Sequence, residues 1–144
     1  MNILTWYFAF YPAKGPFSKA GTLYSTFGHV EAFGYTKDDT WLFFDPQGRR
    51  THIHVTHLHD EVETLMTAKY IDAQSILRIP ANDHRVINPL RGPLTCVSQC
   101  AALMGWRAYT VAGLHRKLLR NGAELIHGKQ TKGRERRGQE STSA

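Results

Sequence analysis

No stretch of this 144-residue chain approaches the roughly 18 to 20 consecutive apolar residues that a membrane helix requires. Nor does a basic segment precede the first apolar run. MNILTWYFAFYPAK carries no Lys or Arg before Pro12 closes the run at strand length, which argues against a signal peptide and for synthesis in the reducing cytoplasm. Cysteine is scarce. Cys96 and Cys100 are the only two, so a disulfide framework is not implied; their C-x-x-x-C spacing is looser than a thioredoxin motif, and no second pair completes a zinc knuckle. No internal repeat is present. What the chain does have is 42% apolar residues, including seven Phe, six Tyr and three Trp, with 21% charged residues. That is enough to bury the core of one domain, and it excludes wholesale disorder.

The net charge of +6 is unevenly distributed. Lys129, Lys132, Arg134, Arg136 and Arg137 against Glu135 and Glu140 put half of it on residues 129–144. After His127 the sequence GKQTKGRERRGQESTSA has no apolar residue except Ala144, so it cannot bury anything and is expected to be a disordered basic tail. A single domain is expected over residues 1–128. Its body is only mildly cationic, which argues against nucleic acid as the main ligand beyond weak tail contacts.

The first two thirds of the chain predict strands. Runs rich in aromatic and β-branched residues cover Trp6 to Tyr11, His29 to Tyr35, Thr40 to Phe44, His52 to Leu58 and Ile76 to Ile79. Thr36-Lys37-Asp38-Asp39 has hairpin length, and Asp45-Pro46-Gln47-Gly48 has the composition of a turn, so a meander is expected. Asp60 to Lys69 carries Val62, Leu65 and Met66 at helical spacing and fits a short helix or a strand extension. Asn88-Pro89, Gly92 and Pro93 then mark a loop.

Thr95 can cap a helix that ends near Gly105, and Thr110 a second whose stripe is Val111, Leu114, Leu118 and Leu119, stopped by Asn121-Gly122. Arg116, Lys117 and Arg120 fall on the solvated face of that helix, near its C-terminus. The fold class is α+β: an antiparallel sheet packed against a late cysteine-bearing helix.

Two readings fit that helix. Cys96, Cys100, Leu103 and Met104, at i, i+4, i+7 and i+8, make a core stripe. Alternatively Cys96, in the first turn, is a thiol whose anion the helix start stabilises. The second reading needs a base, and His29 at the start of its strand can serve. It also needs a group to orient the imidazole. Strand alternation puts His29, Glu31 and Phe33 on one face and Trp41, Phe43 and Asp45 on one face, so a hairpin can bring His29 and Asp45 to the same side; Gln47 and His54 are alternatives to Asp45.

A histidine at a strand start (Gly28-His29-Val30), an aromatic strand reaching Asp-Pro (Trp41-Leu42-Phe43-Phe44-Asp45-Pro46) and a late helix opening Thr95-Cys96-Val97-Ser98 follow in the order His, polar residue, Cys. In that order the chain, over about residues 27 to 123, resembles the circularly permuted papain-like proteins of the NlpC superfamily, in which the cysteine helix follows the sheet. The resemblance implies a cysteine peptidase, amidase or acyltransferase with Cys96 as nucleophile, His29 as proton carrier and Asp45 orienting the ring. No cofactor or metal is expected. Superfamily relatives cleave peptide crosslinks of bacterial cell walls and others act on lipids or protein amides, so a peptide or peptidoglycan fragment is the expected substrate. Short permuted members also look like those encoded by phages and prophages, which would make a virion-associated location compatible with cytoplasmic synthesis.

Three other readings start from the same residues. His52 and His54 share a strand face, and with His57 or Asp60 could begin a metal site, although the spacing, His59 included, fits no strong zinc motif and a solvated strand explains it. A catalytically inactive papain-like module that binds protein partners, such as a virion component, would use Cys96 only for packing. Nucleic-acid binding through the tail and Arg49-Arg50 rests on charge alone.

Overall fold

Aromatic residues on both alternations of the run from Ile3 to Tyr11 leave it no face for water, and it becomes the central strand β1 (Ile3–Tyr11). The computed structural model describes residues 2–12, 27–47, 50–82 and 95–128. The Asn88 to Pro93 segment, Arg49 and the basic tail lie outside the described residues. The elements that follow are β2 (His29–Thr36), β3 (Trp41–Gln47), β4 (Arg50–Thr56), α1 (His59–Asp72), β5 (Ser75–Pro80), α2 (Cys96–Leu103), α3 (Val111–Arg120) and β6 (Glu124–Gly128). The six strands form one antiparallel sheet in the order β4-β3-β2-β1-β5-β6, so the expected meander runs from β1 to β4, and β5 returns along the other side of β1.

Period-2 alternation splits the core into two layers. On one face Trp6, Phe8, Phe10, Val30, Ala32, Leu77 and Ile79 meet Val97, Cys100, Ala101 and Met104 around α2 and Leu114 and Leu118 of α3. On the other, Ala9, Phe33, Phe43 and Ile76 meet Leu65, Met66 and Tyr70 of α1. The segment open to helix or strand is thus a helix, and its weak stripe faces the sheet. No helix among the described residues is long and apolar enough to cross a membrane.

Two expectations need correction. Asp45-Pro46 is no turn: β3 runs on to Gln47, paired to β4 through Pro46↔Thr51 and Gln47↔Arg50. Proline is tolerated there because the pairing of β3 with β2 stops at Ala32↔Phe44, leaving no ladder on that side that needs an N–H. β6, unread in the sequence, adds an edge strand next to β5 immediately after the turn at Gly122, where φ is +90°.

α2 starts as expected, with a reciprocal cap: Ser98 N–H donates to Thr95 Oγ1 at 3.1 Å and Thr95 N–H donates to Ser98 Oγ at 2.9 Å. α3 buries one residue outside its apolar stripe. His115 lies against the rings of Phe10 and Phe27, its Nε2 bonded to Ser75 Oγ at 3.0 Å and its Nδ1 unpartnered. Desolvation lowers its pKa to about 4.

Two stability predictions follow from this packing. Gly34 lies opposite Trp6, and a Cβ there would sit 2.9 Å from the indole and 3.1 Å from Ile3 Cγ2. Gly34→Ala should therefore cost about 1–3 kcal/mol in urea unfolding with little change in m-value. Because His115 is held neutral when folded, the unfolded chain binds the extra proton. Its contribution is complete above about pH 6.5 and is lost as pH falls toward 4, roughly 3 kcal/mol at most. Ser75→Ala/His115→Phe should flatten the unfolding free energy across that window.

Candidate active site

The site forms where β2 begins, β3 leaves β2 and α2 starts. Cys100, fully buried, donates its S–H to Val30 O at 3.8 Å, which ties the first turns of α2 to β2. One turn earlier on the same helix face, Cys96 is brought beside His29, close enough for thiol and imidazole to shift one another's proton affinity. His29 Nε2 in turn bonds Asp45 Oδ1 at 2.9 Å, which leaves Nδ1 as the nitrogen not engaged by the carboxylate. His29 and Asp45 are diagonal neighbours on one sheet face, where long side chains can meet. Asp45 is steadied by Gln47, whose Nε2 donates to Oδ2 at 2.6 Å.

The electrostatics separate the two thiols. For Cys96, burial pushes the pKa up, but the hydrogen bond from His29 and the backbone N–H groups of Val30 and Val97 outweigh it and hold the thiol below its ordinary value. Cys100 is raised well above its ordinary value by desolvation, with the neighbouring Cys96, Glu31 and Asp45 charges adding to it. The imidazole of His29 is pushed up to about 10, chiefly by the bond to Asp45 and then by that to Cys96. Burial tends to raise Asp45, yet His29 and Gln47 hold it below the usual carboxylate range. The arrangement favours a thiolate–imidazolium pair with a carboxylate behind it.

Cys96, His29 and Asp45 therefore converge. Of the alternatives to Asp45, Gln47 supports it from behind, and His54 is committed elsewhere, to Glu61 of α1. The remaining cluster histidines do not assemble either. His59 pairs with Asp39 at 3.3 Å, and among the described residues no group of three possible metal ligands involves His52, His54, His57 or His59.

Sequence reasoning left out a second polar group on the α1 side. Glu31 is buried, accepting from Tyr11 Oη and paired with Lys69 Nζ of α1, and its carboxylate lies with the His29 and Asp45 ligand atoms inside 4.8 Å. This trio could hold a cation by geometry, but His29 Nε2 is spent on Asp45 and the positive charge beside Glu31 is already Lys69. A signal was available: an acidic residue inside the strand HVEAFGY, flanked by apolar neighbours, requires a buried partner.

No protein-family model matches the chain, and comparison with curated proteins and with solved structures likewise finds no match.

The ring protons of His29 should titrate near pH 10 by NMR. The midpoint should fall in Asp45→Asn, which removes the largest stabiliser of the imidazolium, and also in Cys96→Ala. Unchanged midpoints in both variants would show that neither contact exists in solution.

Proposed function

We propose that this protein is a cysteine-dependent hydrolase or acyltransferase acting on an amide or ester bond, with the permuted papain-like arrangement its residue order resembles. The observation that carries the reading is one imidazole that bonds Asp45 and lies beside Cys96, raising its own pKa and lowering that of the thiol, with the three groups supplied by α2, β2 and β3. A core cysteine needs neither a raised imidazole beside it nor a carboxylate behind that imidazole.

In this reading the Cys96 thiolate attacks the carbonyl carbon, and the electron pair of the C=O bond moves to oxygen. The helix start supports that oxyanion, because the Cys96 backbone N–H has no acceptor within α2. When the tetrahedral species collapses, the imidazolium of His29 gives its proton to the departing amine or alcohol and a thioester remains. Neutral His29 then takes a proton from water or an acceptor amine as it attacks the thioester, and Cys96 leaves as the thiolate with His29 again protonated. Asp45 stays ionised throughout and fixes which nitrogen faces the sulfur.

A peptide or peptidoglycan fragment is the proposed substrate, through the resemblance alone. A phage or prophage setting, with synthesis in the cytoplasm and association with the virion, belongs to the same reading, as does one domain over residues 1–128 followed by a basic tail.

Alkylation of each thiol across pH, resolved by peptide mass spectrometry, tests the pair without a substrate. Cys96 should react fast below pH 7 while Cys100 stays protected, and His29→Ala should move the Cys96 midpoint to higher pH. Cys96→Ala should abolish turnover of cell-wall peptides and activated esters while leaving the unfolding midpoint near that of the parent. Two thiols that stay inert until the chain unfolds would sink the enzyme reading in favour of an assembly module.

A further inference from the structure

Two carboxylates, not one, face the His29 imidazole. Asp45 bonds it directly, and Glu31 lies within 4.8 Å of both. They differ in what compensates them. Asp45 is matched by the imidazole and Gln47, whereas Glu31 is matched by Tyr11 and by Lys69, which reaches in from α1 across the rings of Phe33 and Phe43 at 5.7 and 5.4 Å. The Glu31–Lys69 pair is largely withdrawn from water, with side chains 9% and 14% exposed, so solvent screens its charges poorly. We propose that Lys69 is a positioning residue of the site: by neutralising Glu31 it leaves Asp45 the one carboxylate that acts on His29, and so sets the pH at which Cys96 becomes a thiolate.

The inference rests on the cysteine-hydrolase reading and deepens it. An uncompensated Glu31 charge beside the imidazole would hold its proton more tightly, making His29 a poorer acid toward the leaving group. The same charge would oppose ionisation of the thiol. The charged and titratable groups gathered here come from every element packed around Glu31: Tyr11 from β1, His29 from its own strand, Asp45 from β3, Lys69 from α1 and Cys100 from α2; the Glu31 charge raises Tyr11 and Cys100, Asp72 of α1 adds to the effect on Tyr11, and Lys69 helps to hold Asp45 down. Tyr11 pairs with His29 across the β1–β2 ladder, its ring centroid 6.0 Å from the imidazole, and its hydroxyl is held protonated well above the ordinary tyrosine value by burial and by Glu31. It donates to Glu31 without neutralising it. Lys69 is the one cation in this group that does not itself belong to the Cys96–His29–Asp45 chain.

A charge cycle read by the pH midpoint of Cys96 alkylation tests the role, using the full chain and iodoacetamide as probe. Lys69→Met should raise the midpoint by about one unit and Glu31→Gln should lower it by a similar amount, because each leaves one buried charge unbalanced. Glu31→Gln/Lys69→Met, which leaves neither, should return it to within a few tenths of the parent. A pair that only stabilises the fold would change unfolding without producing shifts of opposite sign that cancel. Should Lys69→Met fail to fold, the acid shift in Glu31→Gln and its cancellation in the double variant are the required results. Single variants that do not move, that move in the same direction, or whose shifts persist in the double variant overturn the role of Lys69 and leave the enzyme reading standing. A parent whose Cys96 is inert below pH 7 overturns the enzyme reading and this inference with it.

Discussion

Packing of α2 against β2 sets the height of Cys96 relative to His29. Val97, Cys100 and Ala101 are buried with Val30 and Ala32, and the Cys100 thiol meets the Val30 carbonyl. Helical periodicity then leaves Cys96 one turn lower, at the end of the strand where His29 projects. The reciprocal Thr95 and Ser98 cap holds that turn in place, and a change of register by one residue would carry the sulfur about 100° around the helix axis, away from the ring. The apolar contacts and the polar chemistry are thus two consequences of one docking event.

The other partner depends on a defect in the sheet. While β3 stays paired to β2, its residues are fixed by the ladder, but beyond Ala32↔Phe44 that constraint ends and β3 is held by β4 alone. Asp45 is the first residue past this point. Its carboxylate takes the imidazole on one oxygen and Gln47 on the other. Pro46, buried and unable to donate, matches a stretch with no β2 ladder to complete.

Much of this was legible in the residues, and the failures have physical causes. Runs of aromatic and β-branched residues identify the strands, and the alternation of side chains along the backbone, which holds whatever a strand buries, puts His29 and Asp45 on a shared face. Asp45-Pro46 reads as a turn in the sequence because proline has two homes in β-rich chains, turns and unpaired strand edges, and only the ladder between β2 and β3 separates them. β6 escaped notice because its buried pattern is brief, two partly buried apolar residues in a five-residue edge strand. α1 stayed ambiguous because its apolar positions are few and Lys69, which reads as solvent-facing, is turned inward. The ion pair between Glu31 and Lys69 joins residues 38 apart in sequence on elements whose docking no local pattern announces.

The chain order has a consequence for biogenesis. Five of the six strands among the described residues, together with His29, Asp45 and Lys69, precede Cys96, so during synthesis its thiol leaves the ribosome after the surfaces that receive it. Until α2 closes onto β2, the sulfur has neither its imidazole nor the Val30 amide, and it remains an ordinary, weakly nucleophilic thiol. The environment that holds the Cys96 thiol below its ordinary pKa is therefore assembled only when α2 has docked.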